Sequence, residues 1–416
     1  MRKYLFSVFV IVLALALGQQ VLSLWMGTVL AQKGLSKEDL LKAIRLSPDN
    51  PEPFYKLSVY HQLNLFNIDA QESYRYLQKA IERNPLEQEY WLSLAKALQR
   101  LEKKEESERA LDNAIFVFPA GYQGRWTTAN LLLQQGDTEK AIPHFSYILA
   151  HYPNQRNYVY DVVDMVMSDT DFVLEHIIPR EPSAMNQYLG YLYEVKDKES
   201  VKKVWERKSA MGVKNSRDEV LRHIEFLIAE GELSGAFQIW KARLQEEGLA
   251  VSSDGPITNG GFEKDRMLGG GFDWRMGTPA GTEISFDQGN FSEGKRSLKI
   301  NFNGKENVDF QHVTQYVALK PNTDYVLKAH VKTKGVTTQS GLRIEISGVG
   351  SAFQGKSESL TGDNAWRELV VPFRTLADSQ GGLVRIRRES TNKFDRFISG
   401  VAWIDNVCLV EDKTSQ

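Results

Sequence analysis

The groups in this chain that could ligate a metal, attack a carbonyl or move a proton are few and scattered. Its 416 residues hold seven histidines, at positions 61, 144, 151, 176, 223, 312 and 330, and one cysteine, Cys408. The histidines show no metal-ligand spacing, and H-E-x-x-H does not occur. A single thiol can form neither an internal disulfide nor a cysteine-based zinc site, so Cys408 is expected to be a small buried residue. G-x-S-x-G, the strained turn that presents a nucleophilic serine, is absent too. Gly269-Gly270-Gly271 has no following Lys-Ser/Thr to hold a phosphate and reads as a flexible turn. Convergent carboxylates for acid–base hydrolysis would need a large catalytic domain, and the sequence offers none. The expectation is a protein that is not an enzyme. Lys and Arg total 51 against 53 Asp and Glu, a net charge of −2, which leaves no basic footprint for a nucleic-acid partner.

With 416 residues the chain is long for one core, so several folded units must position whatever it binds. Arg2 and Lys3 precede an apolar run from Tyr4 to Leu17, the pattern of a segment handed to the export machinery. Ala16-Leu17-Gly18 satisfies the small-x-small rule for cleavage, which is the signal-peptide reading of residues 1–30. The anchor reading, favoured here, takes residues 4–26 as a span long enough for a hydrocarbon core of ~30 Å, with Trp25 at the interface. No Leu-x-x-Cys lipobox is present. Basic residues ahead of the span predict that the chain from about residue 31 lies outside the cytoplasm.

Residues 36–247 carry an internal period. Ala-Ile occurs at 43–44, 80–81 and 114–115, each time followed by a proline, at 48, 85 and 119, and Pro153 continues the series. The proline spacings are 37, 34 and 34, with the three extra residues placed in the turn at 64–69. Trp91, Leu94, Ala95 and Leu98 form one helical face, and Leu111 and Ala114 form a second that ends at Pro119. Ala129, Leu132, Gly136-Asp137, Ala141, Phe145 and Pro153 repeat the arrangement. Small residues let paired helices approach, large ones fill the gap, and proline stops the helix. The segment resembles the tetratricopeptide repeat family, specifically over about three repeats. Weaker echoes at Leu189-Gly190, Tyr193 and Trp205, and at Leu227, Gly231, Ala236 and Trp240, extend it to five or six hairpins. The resemblance implies a solenoid whose concave groove takes a protein partner; a plain spacer is the competing reading.

Residues 248–256 have linker composition, and from 257 to 411 the period changes. Tyr325, Leu327, Ala329 and Val331 alternate with Val326, Lys328, His330 and Lys332, and Leu342, Ile344 and Ile346 alternate with Arg343, Glu345 and Ser347. Leu369, Val371 and Phe373, Val384 and Ile386, and Val407 and Leu409 follow, which predicts a β-sandwich of jelly-roll type ahead of a short tail at 412–416.

Asn259-Gly260-Gly261-Phe262-Glu263, Gly271-Phe272-Asp273-Trp274, Gly294 to Ile300, Gln315-Tyr316-Val317, Leu319 to Tyr325 and Ala402-Trp403-Ile404-Asp405-Asn406-Val407 come in one order. Together they resemble the jelly-roll carbohydrate-binding modules of families 4 and 9 across nearly all of 257–411. The resemblance implies two sheets, often a structural calcium, and in many members a sugar groove over one sheet. Calcium wants hard oxygen ligands, and Glu263 and Asp405, near the two ends of the domain, are the chosen pair; ordinary surface carboxylates are the alternative. A sugar groove needs flat aromatic faces and planar polar side chains. Trp274 and Tyr316 are the expected faces, and His312, Arg343, Glu345 and Arg387 the polar floor. Asp309, Gln311 and Gln315 alternate with Phe310, His312, Thr314 and Tyr316, so either set could face outward, and a solvated sheet face would carry the same Arg and Glu residues.

The whole reads as a multidomain chain: a membrane helix, an all-α repeat solenoid and an all-β sandwich. Its expected role is an exported, membrane-tethered adaptor in exopolysaccharide or surface-glycan assembly. Two other roles stay open, a structural scaffold without sugar binding and an accessory subunit of a separate glycoside hydrolase.

Overall fold

The computed structural model describes residues 2–34, 36–63, 68–167, 169–249 and 255–413. The expected linker thus falls largely outside the described residues, as do most of the 64–69 turn and the end of the tail. Two compact units divide the chain, Met1–Met211 and Gly212–Gln416.

The first unit is entirely helical. It comprises α1 (Arg2–Lys33), α2 (Lys37–Leu46), α3 (Glu52–Leu63), α4 (Ala70–Arg83), α5 (Gln88–Arg100), α6 (Lys104–Val117), α7 (Tyr122–Gln134), α8 (Thr138–His151), α9 (Arg156–Val166), α10 (Thr170–His176), α11 (Pro182–Val195) and α12 (Lys198–Ala210). The local sequence explains the starts: Ser36, Asp69 and Asp197 cap their helices by accepting the N–H of Asp39, Glu72 and Ser200. Pro48, Pro85, Pro119 and Pro153 fall just after α2, α4, α6 and α8, as the period predicts. The repeated alanines Ala43, Ala80, Ala95, Ala114, Ala129 and Ala141 are all fully buried, so the backbones of neighbouring helices can come together there.

α1 has two parts. Tyr4 and the apolar side chains from Phe6 to Met26, among them Phe9, Leu15 and Trp25, are exposed, while Gly27 and Ala31 pack against the repeats. A Cβ on Gly27 would lie 2.7 Å from that of Ser47, so only glycine lets α1 meet the end of α2 so closely. Lys56 on α3 donates to the carbonyls of Ala31 and Gln32 at 2.7 and 2.9 Å. The last turns of α1 are therefore the helical partner of α2, a role the sequence reading did not foresee.

The second unit opens with α13 (Arg217–Ala229) and α14 (Leu233–Glu246), begun by a Ser216/Glu219 capping box and joined through Gly231 at φ +84°. Ten strands follow: β1 (Arg275–Met276), β2 (Thr282–Asp287), β3 (Ser297–Asn303), β4 (Phe310–Ala318), β5 (Asp324–Val336), β6 (Arg343–Gly348), β7 (Gln354–Lys356), β8 (Gly362–Arg374), β9 (Gly381–Arg388) and β10 (Ser399–Glu411). They form two five-stranded sheets, ordered β1-β4-β9-β6-β7 and β2-β3-β10-β5-β8, with antiparallel pairing. The alternating residues read from the sequence fill the space between them: Tyr325, Leu327, Ala329, Ile344, Ile346, Leu369, Val371, Val384, Ile386 and Leu409 belong to one core.

The α13–α14 hairpin packs on this sandwich. Trp240, fully buried, donates its Nε1–H to the carbonyl of Gly269 at 2.8 Å, and its ring and that of Phe237 lie 6.0 and 5.2 Å from Phe272. Arg217 donates to the carbonyl of Leu268 at 3.1 Å. The glycine run 269–271 is held from beneath as well, because the buried Asp273 carboxylate accepts the N–H groups of Met267 and Gly269 at 2.8 and 3.0 Å. The expected flexible turn is a pinned loop.

Candidate functional site

Alternation on four neighbouring strands builds the outward face of the first sheet. β9 turns Val384 and Ile386 into the core and Leu383, Arg385 and Arg387 outward, while β6 does the same with Ile344 and Ile346 against Arg343, Glu345 and Ser347. Register aligns them in rows. Arg385 pairs with Thr314 of β4 on one side and Glu345 of β6 on the other, and Glu345 pairs with Lys356 of β7. Over β6, β7 and β9 lies a cavity of about 350 Å³, lined by Arg343, Glu345, Ser347, Gln354, Lys356, Arg385 and Glu389 with the backbone of Ile346 and Gly355 between them.

Arg343 organises this floor. Its guanidinium meets Glu345 at 2.5 Å and Glu389 at 2.7 Å, and its side chain is only 11% exposed. Burial alone would lower the Arg343 pKa, but the bonds to Glu389 and Glu345 outweigh it and hold the group above its ordinary value. The same bond from Arg343 holds the Glu389 carboxyl below the usual range. Planar donors and acceptors fixed in this way suit a hydroxylated or charged ligand that offers paired oxygens.

Of the six residues expected to floor a groove, His312, Tyr316, Arg343, Glu345 and Arg387 share this outward face. A register shift between Phe310 and Val313 on β4 decides which set faces out: Phe310 is buried, yet beyond the bulge His312, Thr314 and Tyr316 point outward and Val313, Gln315 and Val317 inward. Gln315 is fully buried and holds both the N–H and the carbonyl of Thr258 at 2.9 Å, a structural tie. Arg387 turns to the rim, donating to Asp309 and, at 3.2 Å, to the carbonyl of Phe310.

Trp274 is a correction. It is 9% exposed, packs at a tilt 5.1 Å from Phe262 inside the sandwich core and donates Nε1–H to the carbonyl of Asn259 at 3.1 Å, so it offers no free ring face. Tyr316 is on the right face but engaged: the Arg275 guanidinium stands 5.2 Å over its ring, and Arg275 is itself ion-paired to Glu225 of α13. A Cβ on Gly271 would come within 2.9 Å of the same ring. Gln354, Lys356 and Glu389 escaped the sequence reading because β7 is three residues long and shows no period, while Glu389 lies just past the end of β9. Arg385 was legible from its alternation with Arg387 but was not placed in the floor.

At one end of the sandwich the loop after Asn259 meets β10. Asp405 is fully buried; its Oδ2 accepts the N–H of Ser292 and Glu293 at 2.7 and 3.0 Å, and its Oδ1 that of Asn406 at 2.7 Å. Burial raises the Asp405 pKa, and the charge of Glu263 adds to the rise. Glu263 accepts the Lys295 N–H at 2.8 Å. A Cβ on Gly261 would lie 3.7 Å from Asp405 Oδ1 and 3.7 Å from Glu263 Cγ, so the two side chains stand on either side of that glycine. Among the described residues no cluster of three or more His, Cys, Asp or Glu could hold a metal, so further ligands to this pair would have to be backbone carbonyls or water. Beside it Gly255, Ile257–Gly261, Glu263, Lys264, Met267 and Asn406–Val410 contribute to a cavity of about 310 Å³.

Residues 255–391 match the family model of a carbohydrate binding domain, and residues 92–156 match that of a tetratricopeptide repeat. Both are binding modules, and neither is a catalytic type. Among solved structures, MamA is 19% identical over 35% of this chain and 86% of its own, with a TM-score of 0.28. PilF of Pseudomonas aeruginosa is 15% identical over 55% of this chain and 92% of its own, with a TM-score of 0.29.

Proposed function

We propose that this chain is an exported adaptor, tethered by α1, that holds a polysaccharide on the outward face of the β1-β4-β9-β6-β7 sheet and a protein partner on its helical repeats, and that it acts by binding rather than catalysis. The observation that carries the reading is the cavity over β6, β7 and β9, in which Arg343, Glu345 and Glu389 are locked into one network in a domain of carbohydrate-binding type. A place in exopolysaccharide or surface-glycan assembly follows from joining such a face to repeats and an apolar helix long enough to cross a membrane. The test is a glycan array probed with the full chain in detergent, beside a Glu345→Ala variant that melts like the parent. Binding lost in the variant supports the reading. No binding to any glycan overturns it and leaves the scaffold role.

Calcium at Glu263 and Asp405 belongs to the same proposal. Two hard carboxylates, one fully buried and electrostatically opposed to the other, are a setting that a divalent cation would relieve. The ion would tie the loop after Asn259 to β10 and serve stability, since the pair stands apart from the cavity on the sheet face.

A further inference from the structure

The chemistry of the cavity also narrows its ligand, on the premise that the face binds carbohydrate. None of the lining residues is aromatic, and the ring of Tyr316 on the neighbouring part of the face has Arg275 over it. Stacking on a neutral pyranose, which relies on an open aromatic face, has no surface here.

Charge replaces it. The lining holds three basic side chains, Arg343, Arg385 and Lys356, against two acidic ones, Glu345 and Glu389. Arg343 is committed to both acids, and Arg387 at the rim is committed to Asp309. Arg385 and Lys356 are the Cα partners of Glu345 on its two sides, two strand spacings apart, or about 10 Å. Within the described residues no carboxylate stands in ion-pair contact with either. Two long cationic side chains therefore stand on opposite sides of Glu345, and the lining, three cations against two carboxylates that Arg343 binds, carries one positive charge in excess. A guanidinium meets a carboxylate by two parallel N–H···O bonds and an ester anion by a similar pair, so both kinds of acidic sugar fit these cations.

We infer that the cavity over β6, β7 and β9 takes an anionic sugar of an acidic polysaccharide, its charge a carboxylate or an ester anion, with Arg385 and Lys356 as its anion-binding residues. The Glu345–Arg343–Glu389 network then positions the floor and receives neighbouring hydroxyls.

Affinity electrophoresis of the full chain in detergent tests this, with polygalacturonate and alginate against dextran sulfate and neutral β-glucan, for the parent, Arg385→Gln, Lys356→Gln and, as a control on the opposite sheet, Arg374→Gln. The expected result is binding to a uronate or a sulfated polymer that weakens about tenfold or more with Arg385→Gln, by loss of a charge-assisted pair, weakens with Lys356→Gln and with added salt, and is unchanged by Arg374→Gln; which polymer binds identifies the anion. Equal melting temperatures separate lost contacts from lost structure. Binding to neutral glucan but to no acidic polymer overturns the inference while the carbohydrate reading stands. Binding to none overturns both.

Discussion

Trp274 and Asp405 carry the clearest tests at the scale of single residues. Because Trp274 fills the core beside Phe262, Trp274→Ala leaves a cavity and removes one of the two N–H donors to the Asn259 carbonyl, at a cost of about 3–5 kcal/mol. Chemical denaturation should record that loss, and an unchanged midpoint would return the ring to the surface. If Glu263 and Asp405 hold calcium, adding it after chelation raises the melting temperature by roughly a few degrees in the parent and not in Asp405→Asn. Equal shifts in both proteins would remove the ion from this site. On α8, burial first and the Arg125 charge second lower the His144 pKa from 6.5 to about 4. The unfolded chain therefore takes up a proton there before the folded one does. The stability linked to neutral His144 is complete above pH 6.5 and is lost as the pH falls toward 4, so His144→Gln should flatten that part of the profile of melting temperature against pH. Residue types were legible in the sequence at all three positions. Burial was not, because it depends on which sheet or helix closes over each side chain.

At the scale of elements, α13 and α14 show where pattern and packing part. Leu227, Gly231, Ala236 and Trp240 have helical-hairpin spacing, so the sequence places them with the repeats; the contacts place them with the sandwich, where Trp240 meets Gly269 and Phe272. A fragment starting at Gly212 is expected to melt cooperatively, and one starting at Gly255 to melt lower and lose near-ultraviolet tryptophan signal, since it exposes Phe272 and the pinned glycine loop. Identical melting of the two would mean that the hairpin contributes nothing to the sandwich. The bulge in β4 makes the same point on a smaller scale. Strict alternation would have put Phe310 on the face of Tyr316, but an irregularity before Val313 returns the phenyl ring to the core.

For the whole molecule, α1 has two parts in one continuous helix, apolar and exposed from Phe6 through Met26 and packed at Gly27 and Ala31, which suits a membrane span joined directly to the repeats. The full chain should sediment with membranes and resist alkaline extraction, and Leu13→Arg, adding about 3 kcal/mol at the centre of the span, should release it or block its insertion. Recovery of parent protein in the soluble fraction with residues 1–18 removed would instead support cleavage. The sequence by itself determined the periods: 34 residues for the repeats, two for the strands and an unbroken apolar run for α1. Each arises from local geometry, the turn of a helix or the pleat of a strand, which one stretch of chain records unaided. Only the tertiary structure decided that Trp274 is core, that Arg275 engages Tyr316, and that Arg385 and Lys356 flank Glu345 across three strands. Those neighbours lie far apart along the chain, and their meeting is fixed by sheet register and by which hairpin docks, which no local period encodes.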